Sequence, residues 1–126
     1  MKTREEVAAT IDHAVLKQQF GDDDVIKACK IGRKYKTATV CVRPTDISLA
    51  KRELEGSGVG VAVVVGFPNG HSRSEVKALE ARLAIEDGAA EIDMVMNIGK
   101  FKSGDYDLVE RDVEAVVAVA KPRGVA

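Results

Sequence analysis

The sequence predicts an α/β fold with a parallel sheet, and three observations predict it. Strand-like runs occur at TATVCVR (37–43), VGVAVVV (59–65) and AEIDMVM (90–96). Each is β-branched or apolar almost throughout, as parallel strands covered on both faces read. Helix-like segments of about 10 to 16 residues separate the runs, which calls for βαβ crossovers. Finally, the chain has 126 residues, about half of the roughly 250 that a closed (βα)8 barrel takes. Together these point to a partial TIM (βα)8 barrel: about three βα units of parallel sheet behind an N-terminal helical segment, all within one domain, residues 1–126.

The elements follow in order. A short helix near Arg4–Ala9 is expected to lead into an irregular IDHAVLK (11–17). The next helix, about Asp22–Tyr35, opens on Asp22, Asp23 and Asp24, whose charges suit the positive end of the helix dipole. A further helix follows Pro44, from about Thr45 to Glu55, and stops at Gly56. The third long helix starts at SRSE, where Ser72 and Glu75 have capping-box spacing. Its apolar residues Val76, Leu79, Leu83 and Ala84 are expected to be buried, and Gly88 is free to take the left-handed conformation after its end. The last helix, about Asp105–Lys121, carries Leu108, Val109, Val113, Val116 and Val117 on one stripe and stops at Pro122. The closing RGVA reads as the approach to another strand.

Composition narrows the function classes. Basic and acidic residues nearly balance, 19 against 20, and they are interspersed, so there is no basic footprint for nucleic acid or an anionic membrane. No apolar run approaches the ~20 residues of a transmembrane helix, and no signal-peptide pattern opens the chain. Cys29 and Cys41 form no disulfide framework, and a reduced, cytoplasmic setting is expected. His13, His71, Cys29 and Cys41 lack metal-ligand spacing, so neither a metal nor a cofactor is expected.

In open α/β sheets and barrels, ligands gather at the carboxyl ends of the strands. Those ends carry Cys41 to Pro44, then GFPNG (66–70), then Asp93 to Gly99. Asp93 stands among apolar neighbours, where a buried carboxylate is unfavourable without a partner. It is either a member of a local hydrogen-bond network or an active-site carboxylate. Cys41 taken alone reads as a small core hydrophobe. Asp12 could be a cap-and-turn residue, and GFPNG either simple turn chemistry or a loop that lets backbone approach a substrate. GSGVG (56–60) is no dinucleotide fingerprint, because it follows a helix and precedes a strand.

The stretches IDHAVLK (11–17), TATVCVRP (37–44), VGFPNG (65–70), EVKALEARLAIEDGAAEIDMVMNIG (75–99) and KSGDYDLVERDV (102–113) occur in order over nearly the whole chain. Together they resemble the N-terminal half of deoxyribose-phosphate aldolases. The resemblance implies a TIM barrel and a class I aldolase. Such an enzyme reversibly joins acetaldehyde and glyceraldehyde 3-phosphate into 2-deoxyribose 5-phosphate through a lysine Schiff base. It places the family's proton-relay aspartate at Asp93, its N-terminal active-site aspartate at Asp12 and its strand-end cysteine at Cys41. Asp93 would then be catalytic and meet a lysine ammonium, with Asp12 and Cys41 at the substrate.

The sequence departs from the family pattern in two respects. Where the family commonly has Thr-Leu, this chain has Ala14-Val15, which removes a hydroxyl near the site. The family's Schiff-base lysine and its second lysine belong to later strands. None of the eleven lysines here sits in a strand-like run; Lys27, Lys30, Lys34, Lys51 and Lys77 read as helix-surface groups. The expectation is a chain inactive alone. Its substrate, once a barrel is completed, would be a small phosphorylated sugar or aldehyde. Exposed sheet edges favour a homo-oligomer. The rival reading is a non-catalytic half-barrel whose function is association.

Overall fold

The computed structural model of the chain describes residues 2–126. Its elements run α1 (Arg4–Ala8), β1 (Asp12–Ala14), α2 (Asp22–Tyr35), β2 (Thr39–Val42), α3 (Ile47–Leu54), β3 (Gly60–Val65), α4 (Ser74–Asp87), β4 (Glu91–Met94), α5 (Ile98–Lys102) and α6 (Tyr106–Ala120). The strands are all parallel and stand in chain order, β1-β2-β3-β4. The stretch expected to be irregular therefore supplies β1. Three residues are too few to show a period, and the strand exists because β2 offers it an edge, with Val15 N donating to Cys41 O at 2.9 Å.

Register sorts the strand side chains onto two faces. Asp12 pairs with Thr39 and Thr39 with Gly60; Cys41 pairs with Ala62 and Ala62 with Glu91; Val64 pairs with Asp93. Alternation along each strand then puts Asp12, Thr39, Cys41, Ala62, Val64, Glu91 and Asp93 on one face. Val40, Val42, Val61, Val63 and Val65 take the other. That second face is covered by helices: Val25 and Cys29 of α2, Ile47, Ala50 and Leu54 of α3, and Ala84 of α4 join its main cluster. Val65 packs instead with Ala81 of α4 and Val116 of α6. Each fully buried valine is worth roughly 1.5–3 kcal/mol. Val40, Val42, Val63 and Val65 are all at 0% exposure, so this face holds most of the fold together. The first face is left open, with only a small cluster of Cys41, Ala62 and Val64 under Leu16.

Helix boundaries agree with the sequence more closely than helix faces do. Helix α2 begins at Asp22, and Asp24 accepts a hydrogen bond from Gly21 N at 3.1 Å. Helix α4 closes on Gly88 at φ 107°, as expected. Its start differs: Arg73 is the N-cap with no side-chain bond, and Glu75 pairs with Arg73 at 3.4 Å instead of serving Ser72. Its buried side also differs. Val76, Leu79 and Leu83 are half exposed, at 47–51%, while Lys77, Ala81 and Ala84 are buried. Two alanines let the helix approach the sheet closely, and the bulkier residues are turned outward. In α6 the buried positions are Asp112, Val116 and Ala120, with Val113 and Val117 exposed. Helix α5 was not expected; Asn97 caps it by accepting from Lys100 N at 3.1 Å. The final residues do approach the sheet: Ile92 N donates to Ala126 O at 2.7 Å, and Ala126 N to Ala90 O at 3.4 Å.

Candidate active site at the strand ends

Three of the residues singled out from the sequence share the open face. Asp12 accepts a 2.7 Å hydrogen bond from the Thr39 hydroxyl, which fixes it beside β2. Asp93 is exposed on this face, a correction to the expectation of a carboxylate buried in an apolar run: strand alternation turns it away from its apolar neighbours. Cys41 lies between them, buried. Burial above all, and then the negative charges of Asp93, Asp12 and Glu91, push its thiol up to about 12. It is a neutral thiol at neutral pH rather than a nucleophile.

Glu91 is the member that sequence reasoning missed. It stands two residues before Asp93, so the same face receives both. Its carboxyl is raised above the usual range by burial first, then by the charges of Asp12 and Asp93 and by a hydrogen bond to Asp12. The signal was present in the alternation of EIDMVM, once Asp93 was assigned to a face.

Two loops flank this carboxylate cluster. In GFPNG, Gly66 N donates to Glu80 Oε2 at 2.8 Å, and Gly70 N to Gly66 O at 2.8 Å. Gly70 has φ +70°, and a Cβ there would run into the Met96 carbonyl, so the loop is seated directly on the segment after β4. Arg43, after β2, ties down the loop after β1: its Nε donates to Asp46 at 2.6 Å and its Nη1 to Lys17 O at 3.4 Å. A cavity of about 200 Å³ opens here between Leu16, Gln18, Arg43, Val64, Phe67 and Glu80. A larger cavity of about 650 Å³, lined by Gly58, Gly60, Asp87 and Ala90, lies at the opposite ends of the strands. It is away from the face where ligands of such sheets collect.

Lys77 is the second correction. It is no surface group but is fully buried, donating from Nζ to Asp112 Oδ2 at 2.5 Å and to Val95 O at 2.8 Å. Its charge is committed to the helix layer and does not reach the open face. No lysine or arginine stands in any of the four strands. The strand residues of the open face thus carry acidic groups and no cation, and Arg43 at its border is held by Asp46 and the Lys17 carbonyl. Among the described residues, no group of histidine, cysteine and carboxylate side chains is arranged to hold a metal ion, and no helix is long and apolar enough to cross a membrane.

A family model described as DeoC/LacD family aldolase matches residues 6–125. The chain belongs to this aldolase family. It is 50% identical over 115 residues to a deoxyribose-phosphate aldolase of Clostridium novyi, covering 91% of this chain and 52% of that protein. Identity is 48% over 120 residues to the corresponding protein of Clostridium tetani, with 95% and 56% covered. The chain thus spans about half the length of the curated relatives it matches. Among solved structures, a putative deoxyribose-phosphate aldolase from Coccidioides immitis superposes with a TM-score of 0.90 at 37% identity, over 95% of this chain and 47% of that one. The deoxyribose phosphate aldolase of Aeropyrum pernix, described as a tetramer, gives 0.88 at 29% identity, over 98% and 51%. The four strands are therefore a partial TIM barrel, whose open face corresponds to a barrel interior.

Proposed function

We propose that this chain supplies the carboxylate half of a deoxyribose-phosphate aldolase site, with the Schiff-base lysine coming from protein outside residues 1–126. One observation carries the reading: the open face gathers Asp12, Glu91 and Asp93 around Cys41 while no strand offers a cation. A lysine brought against this face would be anchored as an ammonium by the negative charges, and it becomes a nucleophile only on passing a proton to Asp93. Only the neutral amine left by that transfer can add to an aldehyde carbonyl; the adduct loses water to give the Schiff base, and hydrolysis later regenerates the amine. In this reading Asp93 is the proton-relay group, and Asp12 and Cys41 shape the substrate pocket. The substrate is 2-deoxyribose 5-phosphate, cleaved reversibly to acetaldehyde and glyceraldehyde 3-phosphate, in a cytoplasmic setting without a cofactor. Residues 1–126 act as one domain.

Alone, the chain should show no turnover. Incubation with acetaldehyde and borohydride followed by peptide mapping should trap no single lysine; stoichiometric trapping at one position would overturn this. Mixing with a separately produced C-terminal half of a deoxyribose-phosphate aldolase should generate turnover, and Asp93→Asn should abolish it. The rival, a non-catalytic association module, is favoured by the exposed Val76, Leu79 and Leu83. It predicts association without turnover in the same mixture.

A further inference from the structure

We propose that Lys77 and Asp112 are positioning residues: a buried ion pair in the helix layer that fixes the backbone after β4 and so aims Asp93. The role given to Asp93 rests on the aldolase reading above, while the contacts of the pair stand without it. Lys77 and Asp112 are 0% and 1% exposed. A hydrophobic pair of similar volume in their place is generally neutral or stabilising. Stability therefore does not explain them, and what they do that a hydrophobic pair cannot is donate a hydrogen bond.

Lys77 Nζ donates to Val95 O at 2.8 Å. The last sheet bond on that side is Val95 N to Val65 O at 2.9 Å; past it the backbone has left the ladder, and the ammonium is what holds its carbonyl. Asp93 is two residues upstream and exposed, so its direction follows the backbone on either side. The same side chain supports the opposite loop. Gly66 lies so close to the Lys77 methylenes that a Cβ there would fall 2.8 Å from Cε. Glu80, one turn further along α4, accepts from Gly66 N at 2.8 Å. One helix face thus secures GFPNG and the segment after β4, and Asp112 on α6 keeps the ammonium in place. Lys77 offers three N–H donors, and the two contacts named give it a directed grip rather than a diffuse charge.

The test uses the 126-residue chain itself. In Lys77→Met/Asp112→Leu, amide hydrogen exchange at Val95, Gly66 and Gly70 should accelerate at least tenfold, with the thermal midpoint unchanged or raised. Amides of Cys29 and Ile31 in α2 should keep their rates. Lys77→Arg, which retains a donor, should restore slow exchange at Val95. Unchanged exchange at Val95 in the folded double variant, or equal acceleration in α2, would overturn the proposal. Should the double variant not fold, the wild type decides. In a ¹⁵N-lysine-labelled sample, the Lys77 ammonium protons should exchange with water at least tenfold more slowly than those of the other lysines. Exchange as fast as theirs would overturn it. Neither measurement needs substrate, so the aldolase reading can fail in the complementation assay while this one holds, and the reverse.

Discussion

On the open face, Glu91, Asp12 and Asp93 are like charges brought together by register, and the folded chain holds Glu91's proton more tightly than an unfolded one would. A carboxyl raised in the folded state gives stability that is complete below its unfolded pKa and is lost as pH rises through the folded one. At pH 7 that contribution is gone and the repulsion remains. Glu91→Gln should therefore raise the thermal midpoint at pH 7 and leave it nearly unchanged below about pH 4, as scanning calorimetry at the two pH values would show. The thiols obey the same sign at the alkaline end. Cys29 is pushed up to about 11, by burial first and the charge of Glu53 second, and Cys41 to about 12. Stability they contribute below about pH 9 should fall as pH climbs toward these values. Cys29→Ala/Cys41→Ala should flatten that alkaline limb in urea melts, compared with the unmodified chain. Asp93→Asn should bring the Cys41 thiol down only part of the way, because burial is its larger cause. The pH dependence of Cys41 alkylation reads this directly.

At the scale of elements, sequence reasoning located helices well and misread which side of them is buried. Asp22, Gly56 and Gly88 mark ends by local rules of charge and backbone freedom, and local rules are visible in a sequence. The buried side of α4 is decided by its neighbours. The sheet and α6 select Lys77, Ala81 and Ala84 because small side chains allow close approach and because Asp112 and Val95 O await a donor. Nothing in the spacing of Val76, Leu79 and Leu83 discloses that. The site divides the same way. Asp93, Asp12 and Cys41 were legible as motif residues, whereas Glu91 needed the register of β4, and Lys77 needed a partner 35 positions away. Removing one member of the pair should accordingly be severe: Lys77→Met alone leaves a buried carboxylate unpaired and should cost about 3–5 kcal/mol in urea unfolding. The loop contact can be isolated by comparison. Gly58 and Gly70 both have positive φ, but a Cβ on Gly58 meets nothing within 4 Å, while one on Gly70 meets the Met96 carbonyl. Gly58→Ala should cost about 1 kcal/mol, and Gly70→Ala clearly more, by the same melts.

For the molecule as a whole, Val76, Leu79 and Leu83 of α4 and Val113 and Val117 of α6 are 39–51% exposed and leave apolar surface without cover, and such surfaces drive association. Size exclusion with light scattering should find the chain as a self-associated species. A monomer that resists dilution and melts sharply would contradict this. The order of the strands has a further consequence, for how the protein is made. Each strand pairs only with its predecessor in the chain, the paired residues lying about 20 to 30 positions apart, as Asp12 with Thr39 or Ala62 with Glu91. Helices and short-range loops form within microseconds, whereas ribosomes add only about 5–20 residues per second. Each of β2, β3 and β4 therefore leaves the ribosome after the segment it will pair with. Within these four strands the sheet can grow in step with synthesis, β2, β3 and β4 each closing onto a strand already made, while β1 waits for β2 to give it an edge.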